Sequence, residues 1–197
     1  MKKILIFLAF VLLSNFIFAQ SEQTIMSGSK LGLSGAWGGW SYNTGAFNGK
    51  YGGYNGGIWG LEFGKKLLVG GLHYNIGNQS INGKDYFSLH SDNLYLGYIP
   101  NSYKAIHPIF SLAIGGGSLN TNNETVSQKV FTIHPALGLE LNALRICHID
   151  AQLGYRVVTN TNYNTLKDTD FSGLYAQVNL KFGFSWKRYN QSDRFIN

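Results

Sequence analysis

One group of side chains in this sequence has the composition of a hydrolytic site. Ser88, His90 and Asp92 occupy positions i, i+2 and i+4 of an alternating stretch, so an extended strand places a hydroxyl, an imidazole and a carboxylate on one face. In that order the three groups could act as nucleophile, general base and orienting acid. The alternative is that Asp92 simply faces inward as part of a structural polar face.

Other patterns that could bind a ligand are weaker. Residues 52–57 and 115–117 are rich in glycine, but neither stretch leads into a helix and no Gly-Lys-Ser/Thr follows, so phosphate binding is not predicted. The five histidines show no metal-ligand spacing shared with carboxylates, so neither a metal nor a cofactor is predicted. The 16 basic and 10 acidic residues are scattered, which does not indicate nucleic-acid binding.

The N-terminal segment has the organisation of a secretory signal peptide. Lys2 and Lys3 precede an apolar run that is interrupted at Ser14 and ends at Ala19, a small residue suited to cleavage. The run is shorter than the roughly 20 residues that a membrane-spanning helix needs. We therefore predict a signal peptide over residues 1–19 and a polar lead-in over residues 20–29.

The rest of the chain alternates between apolar and polar residues. The clearest stretch is 174–186, in which every even position is apolar and the odd positions are mostly polar or small. Its length exceeds the roughly 5 to 6 residues of a soluble strand and suits a tilted membrane strand of about 9 to 11. Seven further strands are predicted at about 30–42, 51–63, 67–76, 87–99, 108–117, 131–142 and 147–157. The connections between them alternate between long loops and short turns.

A β-sandwich in water would also present one apolar and one polar face to each strand. Three features favour a barrel in lipid: long strands joined by successive hairpins, aromatic residues such as Tyr42 and Phe131 at strand ends, and the uncharged apolar faces of the last three strands. We predict an all-β fold, an eight-stranded antiparallel up-and-down transmembrane β-barrel over residues 30–186. A polar tail follows at 187–197.

The end of the last predicted strand resembles the C-terminal signal of outer-membrane β-barrels, a polar-x-Gly-aromatic-x-aromatic pattern at Lys181, Gly183, Phe184 and Trp186. Over residues 30–186 the chain resembles the small eight-stranded outer-membrane proteins typified by the OmpA transmembrane domain. The resemblance implies residence in a Gram-negative outer membrane, contact with its lipid, and recognition of Gly183, Phe184 and Trp186 by the barrel-assembly machinery.

Eight strands enclose an interior just wide enough for side chains to fill it. The predicted occupants form a polar network: Glu62, His73, His134, Glu140, His148, Asp150, Arg156 and Lys181. A register in which paired residue numbers sum to 331 places Asp150 opposite Lys181 and Arg156 opposite Tyr175. Such a network could be purely structural, or it could line a small gated conduit or proton path.

These observations predict a monomeric, non-enzymatic outer-membrane protein with a structural or surface-contact role. Its long polar loops could hold an extracellular ligand. The alternative is a lipid-modifying hydrolase that uses Ser88, His90 and Asp92, because some small outer-membrane barrels carry such groups near the outer leaflet and the fourth strand begins on that side. The motif of the lipid A deacylases is not visible in this sequence.

Overall fold

Long alternating segments become strands throughout the chain. A computed structural model describes residues 32–47, 50–81, 85–121, 127–161 and 167–185. The strands are β1 (Leu33–Phe47), β2 (Lys50–Phe63), β3 (Leu67–Ile81), β4 (Asp85–Tyr98), β5 (Ile106–Thr121), β6 (Gln128–Leu144), β7 (Cys147–Thr159) and β8 (Gly173–Ser185). One turn of helix, α1 (Asp168–Phe171), precedes β8. The predicted signal peptide (1–19), lead-in (20–29), Trp186 and tail (187–197) lie outside the described residues.

The strands form one closed sheet. Each strand pairs antiparallel with the next, and β8 pairs with β1. The predicted eight-stranded antiparallel barrel is confirmed. Several strands extend beyond their predicted ends, as β1 does to Phe47, because main-chain pairing in a barrel wall continues where the side chains become polar. None of the helices in the described segments is long and apolar enough to cross a bilayer.

The three turns β2–β3, β4–β5 and β6–β7 lie at one end of the barrel, together with the start of β1 and the end of β8; we call this the turn end. The opposite end, with the connections β1–β2, β3–β4, β5–β6 and β7–β8, is the loop end. Pro135 in β6 causes no bulge. The β6–β7 ladder keeps one register from Ile133↔Val157 to Ala136↔Gly154 and omits the two pairs between them.

The side chains of β6 to β8 alternate as predicted for a barrel in lipid. Leu139, Leu180 and Phe182 point outward and are 59%, 38% and 53% exposed, whereas Glu140 and Lys181 point inward and are each 2% exposed. This is the reverse of a water-soluble sandwich, which encloses its apolar face. The apolar surface of these strands is therefore built to contact hydrocarbon.

The barrel interior combines a polar network with an apolar cluster. The buried apolar side chains extend from Trp37 and Leu68 near the turn end to a group of aromatic rings at the loop end. The rings of Phe47, Phe87 and Phe171 lie there, with 5.2 Å between the centroids of Phe47 and Phe87 and 5.1 Å between those of Phe87 and Phe171. Phe171 belongs to α1, so the last long connection places an aromatic ring in the loop end of the lumen.

Candidate functional site

The strongest ionic cluster in the lumen surrounds the carboxylate of Glu140. Lys181 Nζ lies 2.5 Å from Glu140 Oε2 and 3.0 Å from Asp150 Oδ2. Two imidazoles complete the cluster, with His148 Nδ1 2.8 Å and His107 Nε2 3.6 Å from Glu140 Oε1. Every member is at least mostly buried, so burial is offset by pairing.

The register of β7 and β8 differs from the predicted one. Asp150 pairs with Asn179 and His148 with Lys181, so paired numbers sum to 329 and the predicted value of 331 was wrong by two. The Asp150–Lys181 contact nevertheless forms, on the diagonal, because a lysine side chain reaches the next residue on the same face. Arg156 lies opposite Gly173, not opposite Tyr175.

A second buried carboxylate, Glu62, lies closer to the turn end. It accepts hydrogen bonds from Ser34 Oγ at 2.7 Å, Trp37 Nε1 at 2.9 Å and Ser185 Oγ at 2.8 Å. Lys65 in the β2–β3 turn lies 3.9 Å away. Burial lowers the pKa of Lys65, and the attraction of the Glu62 carboxylate opposes that shift.

Arg156 and His134 lie farther from the turn end, and the Arg156 guanidinium carbon is 3.9 Å from the centroid of the Phe47 ring at the loop end. Arg156 donates to the carbonyl oxygens of Phe171 and Ala46, each at 2.8 Å, and to the Tyr54 hydroxyl at 3.1 Å. His134 Nε2 contacts the hydroxyl of Tyr74. Seven of the eight side chains predicted for the lumen network therefore lie inside: Glu62, His134, Glu140, His148, Asp150, Arg156 and Lys181.

The prediction for the eighth residue, His73, was wrong, because its side chain lies on the outer face of the barrel. In β3 the apolar side chains of Leu68, Leu72 and Tyr74 are the buried set, so the alternate positions face outward. The rule that ionic residues face inward therefore holds for β6 to β8, apart from the exposed Lys129 at the loop end of β6, and reverses in β3. It reverses in β4 as well, where Asp92 points outward.

The pairing of β3 with β4 brings together, on this outer face, three side chains of types that can ligate a metal ion. Cross-strand pairing places His73 directly opposite Asp92. His73 Nδ1 lies 2.8 Å from Asp92 Oδ1, and His90 Nε2 lies 3.5 Å from Asp92 Oδ2. The two imidazole centroids are 4.6 Å apart. The side chains of His73, His90 and Asp92 are 44%, 46% and 74% exposed. We call these residues the outer cluster.

Glycine leaves the outer cluster uncovered on both sides. Gly57 of β2 pairs with His73, and Gly116 of β5 pairs with Asp92. A Cβ atom at Gly57 would meet only Gly39 O at 3.9 Å, and one at Gly116 only Val130 O at 3.5 Å, so open space lies beside both residues. The neighbouring strands therefore allow access to the cluster from outside.

The outer cluster belongs to a larger polar area at the loop-end half of β2 to β5. The outer polar patch comprises Asn55, His73, Asn75, Ser88, His90, Asp92, Ser118 and Asn120, which share the outward-facing positions of four adjacent strands. On β4 it begins immediately above the exposed Leu94. Ser88 lies two positions from His90 on the same face, so the structure keeps the three predicted hydrolytic residues on one surface.

Reasoning from the sequence missed the partnership of His73 with His90 and Asp92. The pairs nearest the β3–β4 connection, such as Ile81↔Asp85, have numbers that sum to 166, and a register shift between Ile76 and Gln79 changes the sum to 165 for His73↔Asp92. A single-strand pattern does not indicate such a shift. Because a loop is predicted over residues 77–86, the sequence pattern leaves the pairing of the third and fourth strands undetermined.

Comparison with known proteins identifies the fold. No protein-family model matches the chain, and no curated protein matches it. Neisserial surface protein A has a crystal structure with a TM-score of 0.55 at 10% identity, covering 78% of this chain and 97% of that one. This chain has the fold of the small eight-stranded outer-membrane β-barrels. The N-terminal β-barrel domain of Pseudomonas aeruginosa OprF gives a TM-score of 0.53 at 11% identity, covering 76% of this chain and 97% of that domain.

Proposed function

We propose that this protein is a monomeric barrel of a Gram-negative outer membrane, with a structural or surface-contact role and no enzymatic activity. The observation that carries the proposal is the arrangement of the two faces of β6 to β8, where Leu139, Leu180 and Phe182 face outward and Lys181 and Glu140 face inward. Lipid can cover such an outer face, and a closed sheet leaves no main-chain group unpaired along its edges. The signal peptide predicted over residues 1–19 supplies export.

The filled lumen supports a structural role over a conduit. Asp150 and Lys181 are almost fully buried as an ion pair, and Arg156 is fully buried nearer the loop end, where its guanidinium packs on the ring of Phe47. A cavity of about 10 Å³ is lined by side chains including Trp37, Tyr95 and Lys181. That volume has room for about one water molecule and is far below the roughly 300 to 1,000 Å³ of small-molecule pockets.

The loop end supports the surface-contact part of the proposal. The connection between β7 and β8 carries α1, and Asp168 at its start accepts hydrogen bonds from the amide and the hydroxyl of Thr161. Phe171 at its end is fully buried among the loop-end rings. The described parts of this connection are therefore held by the barrel, and recognition residues commonly lie on loops held by a rigid scaffold.

Fractionation tests this proposal directly. We expect the full chain, expressed in a Gram-negative host, to fractionate with the outer membrane and to migrate faster on gels when the sample is not boiled, as folded barrels do. The purified protein in planar bilayers should show no stable conductance steps. Recovery in the soluble periplasmic fraction would contradict the membrane assignment, and reproducible single-channel steps would contradict the filled lumen.

A second candidate function, a lipid-modifying hydrolase, is favoured by the contact between His90 and Asp92 on the face that Ser88 shares. Asp92 also contacts His73, which a Ser-His-Asp triad does not require. The test compares the acylation of outer-membrane lipid A in cells that express the wild-type chain or Ser88→Ala. A difference that depends on Ser88 would support hydrolysis, and identical lipid in both strains would remove it.

A further inference from the structure

We propose that the outer cluster of His73, His90 and Asp92 is a binding site for a divalent transition-metal ion, with Zn²⁺ as the best match. The three side chains each offer one ligand atom, and these atoms all lie within 4.8 Å of one another. The proposal depends on the β3–β4 register and the barrel fold, and it holds whether or not the protein has a surface-contact role.

The spacing of the ligand atoms suits a tetrahedral site. Zinc binds imidazole nitrogen and carboxylate oxygen at about 2.0 to 2.2 Å, which places neighbouring ligand atoms about 3.3 Å apart. His73 Nδ1 and Asp92 Oδ1 are 2.8 Å apart, and His90 Nε2 and Asp92 Oδ2 are 3.5 Å apart. These separations involve the two different oxygens of Asp92, and all the ligand atoms lie within 4.8 Å of one another, so side-chain rotations bring them to the tetrahedral spacing when the ion binds.

The identity of the donors selects the class of metal. Two imidazoles and one carboxylate favour Zn²⁺, Cu²⁺ or Ni²⁺ over Mg²⁺ and Ca²⁺, which prefer oxygen ligands. His73 and His90 come from adjacent antiparallel strands and Asp92 from the same strand as His90. Main-chain pairing of the two strands therefore fixes the backbone positions of the three ligands before a metal arrives.

The proposed metal site also has one open coordination position, which faces away from the protein. Three protein ligands leave a fourth position of a tetrahedral ion for water or an external group. Gly57 and Gly116 provide the open space on either side, and Asp92 is the most exposed of the three ligands. An ion held here is accessible from the outer surface and not from the lumen.

The position of the cluster on the barrel gives an independent reason to expect a ligand. His73 is six residues beyond Leu67 at the turn end, which is about 15 Å along the axis for a strand that rises about 3.3 Å per residue at a tilt of about 40°. The apolar band of such barrels is about 25 Å tall. Ionisable side chains at that depth are costly and typically serve a function, and a bound cation would balance the charge of Asp92.

Metal binding to the purified full chain tests the proposal. The protein is expressed without a polyhistidine tag, refolded in detergent, treated with EDTA and titrated with Zn²⁺ by calorimetry. We expect one Zn²⁺ per chain, and a loss of affinity of at least about 10-fold in His73→Ala, His90→Ala and Asp92→Asn. Asn75→Ala is the matched control, because Asn75 lies opposite His90 on the same face and supplies none of the three ligand atoms. It should bind as the wild type does.

A spectroscopic measurement separates the site from nonspecific binding and from misfolding. In Cu²⁺-loaded protein, electron paramagnetic resonance should detect two coordinated imidazole nitrogens, and one in His90→Ala; heat-modifiability on gels checks that each variant is folded. The proposal is overturned if the wild type binds no stoichiometric Zn²⁺. It is also overturned if folded His73→Ala and His90→Ala bind it as tightly as Asn75→Ala does.

Discussion

Two carboxylates in this barrel each face two imidazoles, and they differ in almost everything else. Glu140 in the lumen contacts His107 and His148, and Asp92 on the outer face contacts His73 and His90. Only Glu140 also contacts an ammonium group, that of Lys181. Among the described residues no lysine or arginine makes an ion pair with Asp92.

A charge cluster that is purely structural can be separated from one that could bind a ligand by its internal cation and its exposure. The lumen cluster contains its own cation and is closed off from solvent, so it has little to gain from an external ion. The outer cluster has the same donor types but is exposed and has no protein cation of its own in the described segments. An external cation fits the second cluster and not the first.

The largest effect that this comparison implies follows from removing the lumen cation. Lys181→Met leaves Glu140 and Asp150 as neighbouring buried carboxylates. We expect the free energy of unfolding to fall by about 3 to 5 kcal/mol, since breaking a buried pair leaves an uncompensated charge. Urea titration in lipid vesicles, followed by gel mobility, measures the change.

The control for that experiment is Lys66→Met, which removes an exposed lysine from the β2–β3 turn. It should alter the free energy of unfolding by less than about 0.5 kcal/mol. Equal destabilisation by Lys181→Met and Lys66→Met would mean that the lumen cluster is not a structural element.

A smaller effect should distinguish the apolar outer face from the outer polar patch. Leu180→Lys places a charge on the lipid-facing surface of β8, and we expect it to lower the free energy of unfolding in vesicles by about 2 to 4 kcal/mol if it lies near the bilayer midplane. Asn55→Lys places the same charge on the patch two positions beyond His73 toward the loop end, nearer the membrane interface, and should cost less than about 1 kcal/mol. A similar cost at both positions would contradict this difference in depth.

Metal linkage should stabilise the wild-type barrel through the outer cluster only. At Zn²⁺ concentrations 100 times the Kd, binding to the folded state raises the free energy of unfolding by about 2.7 kcal/mol. We expect this gain in the wild type and in His148→Gln, because His148 lies in the lumen and is not one of the three proposed ligands. We expect no gain in His90→Ala. Urea titrations with Zn²⁺ and with EDTA measure it. A gain that persists in His90→Ala but disappears in His148→Gln would assign the metal to the lumen.

The sequence was sufficient to predict the barrel because the period of two residues persists through long segments. It also predicted seven lumen residues, of which six lie in β6 to β8, where polar positions alternate with mostly apolar ones, and Glu62 lies in β2. It failed for His73 because β3 carries apolar side chains on its inner face, and alternation alone does not say which face is enclosed. The outer cluster was missed because contact between His73 and Asp92 depends on cross-strand register, which single-strand patterns leave open.

Asp168 provides a third case, a surface carboxylate that the chain itself satisfies. The hydrogen bond from the Thr161 side chain is the main reason that the pKa of Asp168 lies below its ordinary value. A depressed folded-state pKa means that this contribution to the loop's stability is present above the unfolded pKa of about 3.9 and is lost as the pH falls through the folded value.

The Thr161 amide donates to the Asp168 carboxylate at 2.8 Å, so its chemical shift reports on the protonation of that carboxylate. We therefore expect an NMR titration of that amide proton to show a midpoint below about 3.9, unchanged by Zn²⁺. A midpoint at or above that value would contradict the lowered pKa of Asp168. A change in the midpoint on adding Zn²⁺ would show that an exposed carboxylate alone binds the metal, which would contradict selective binding at the outer cluster.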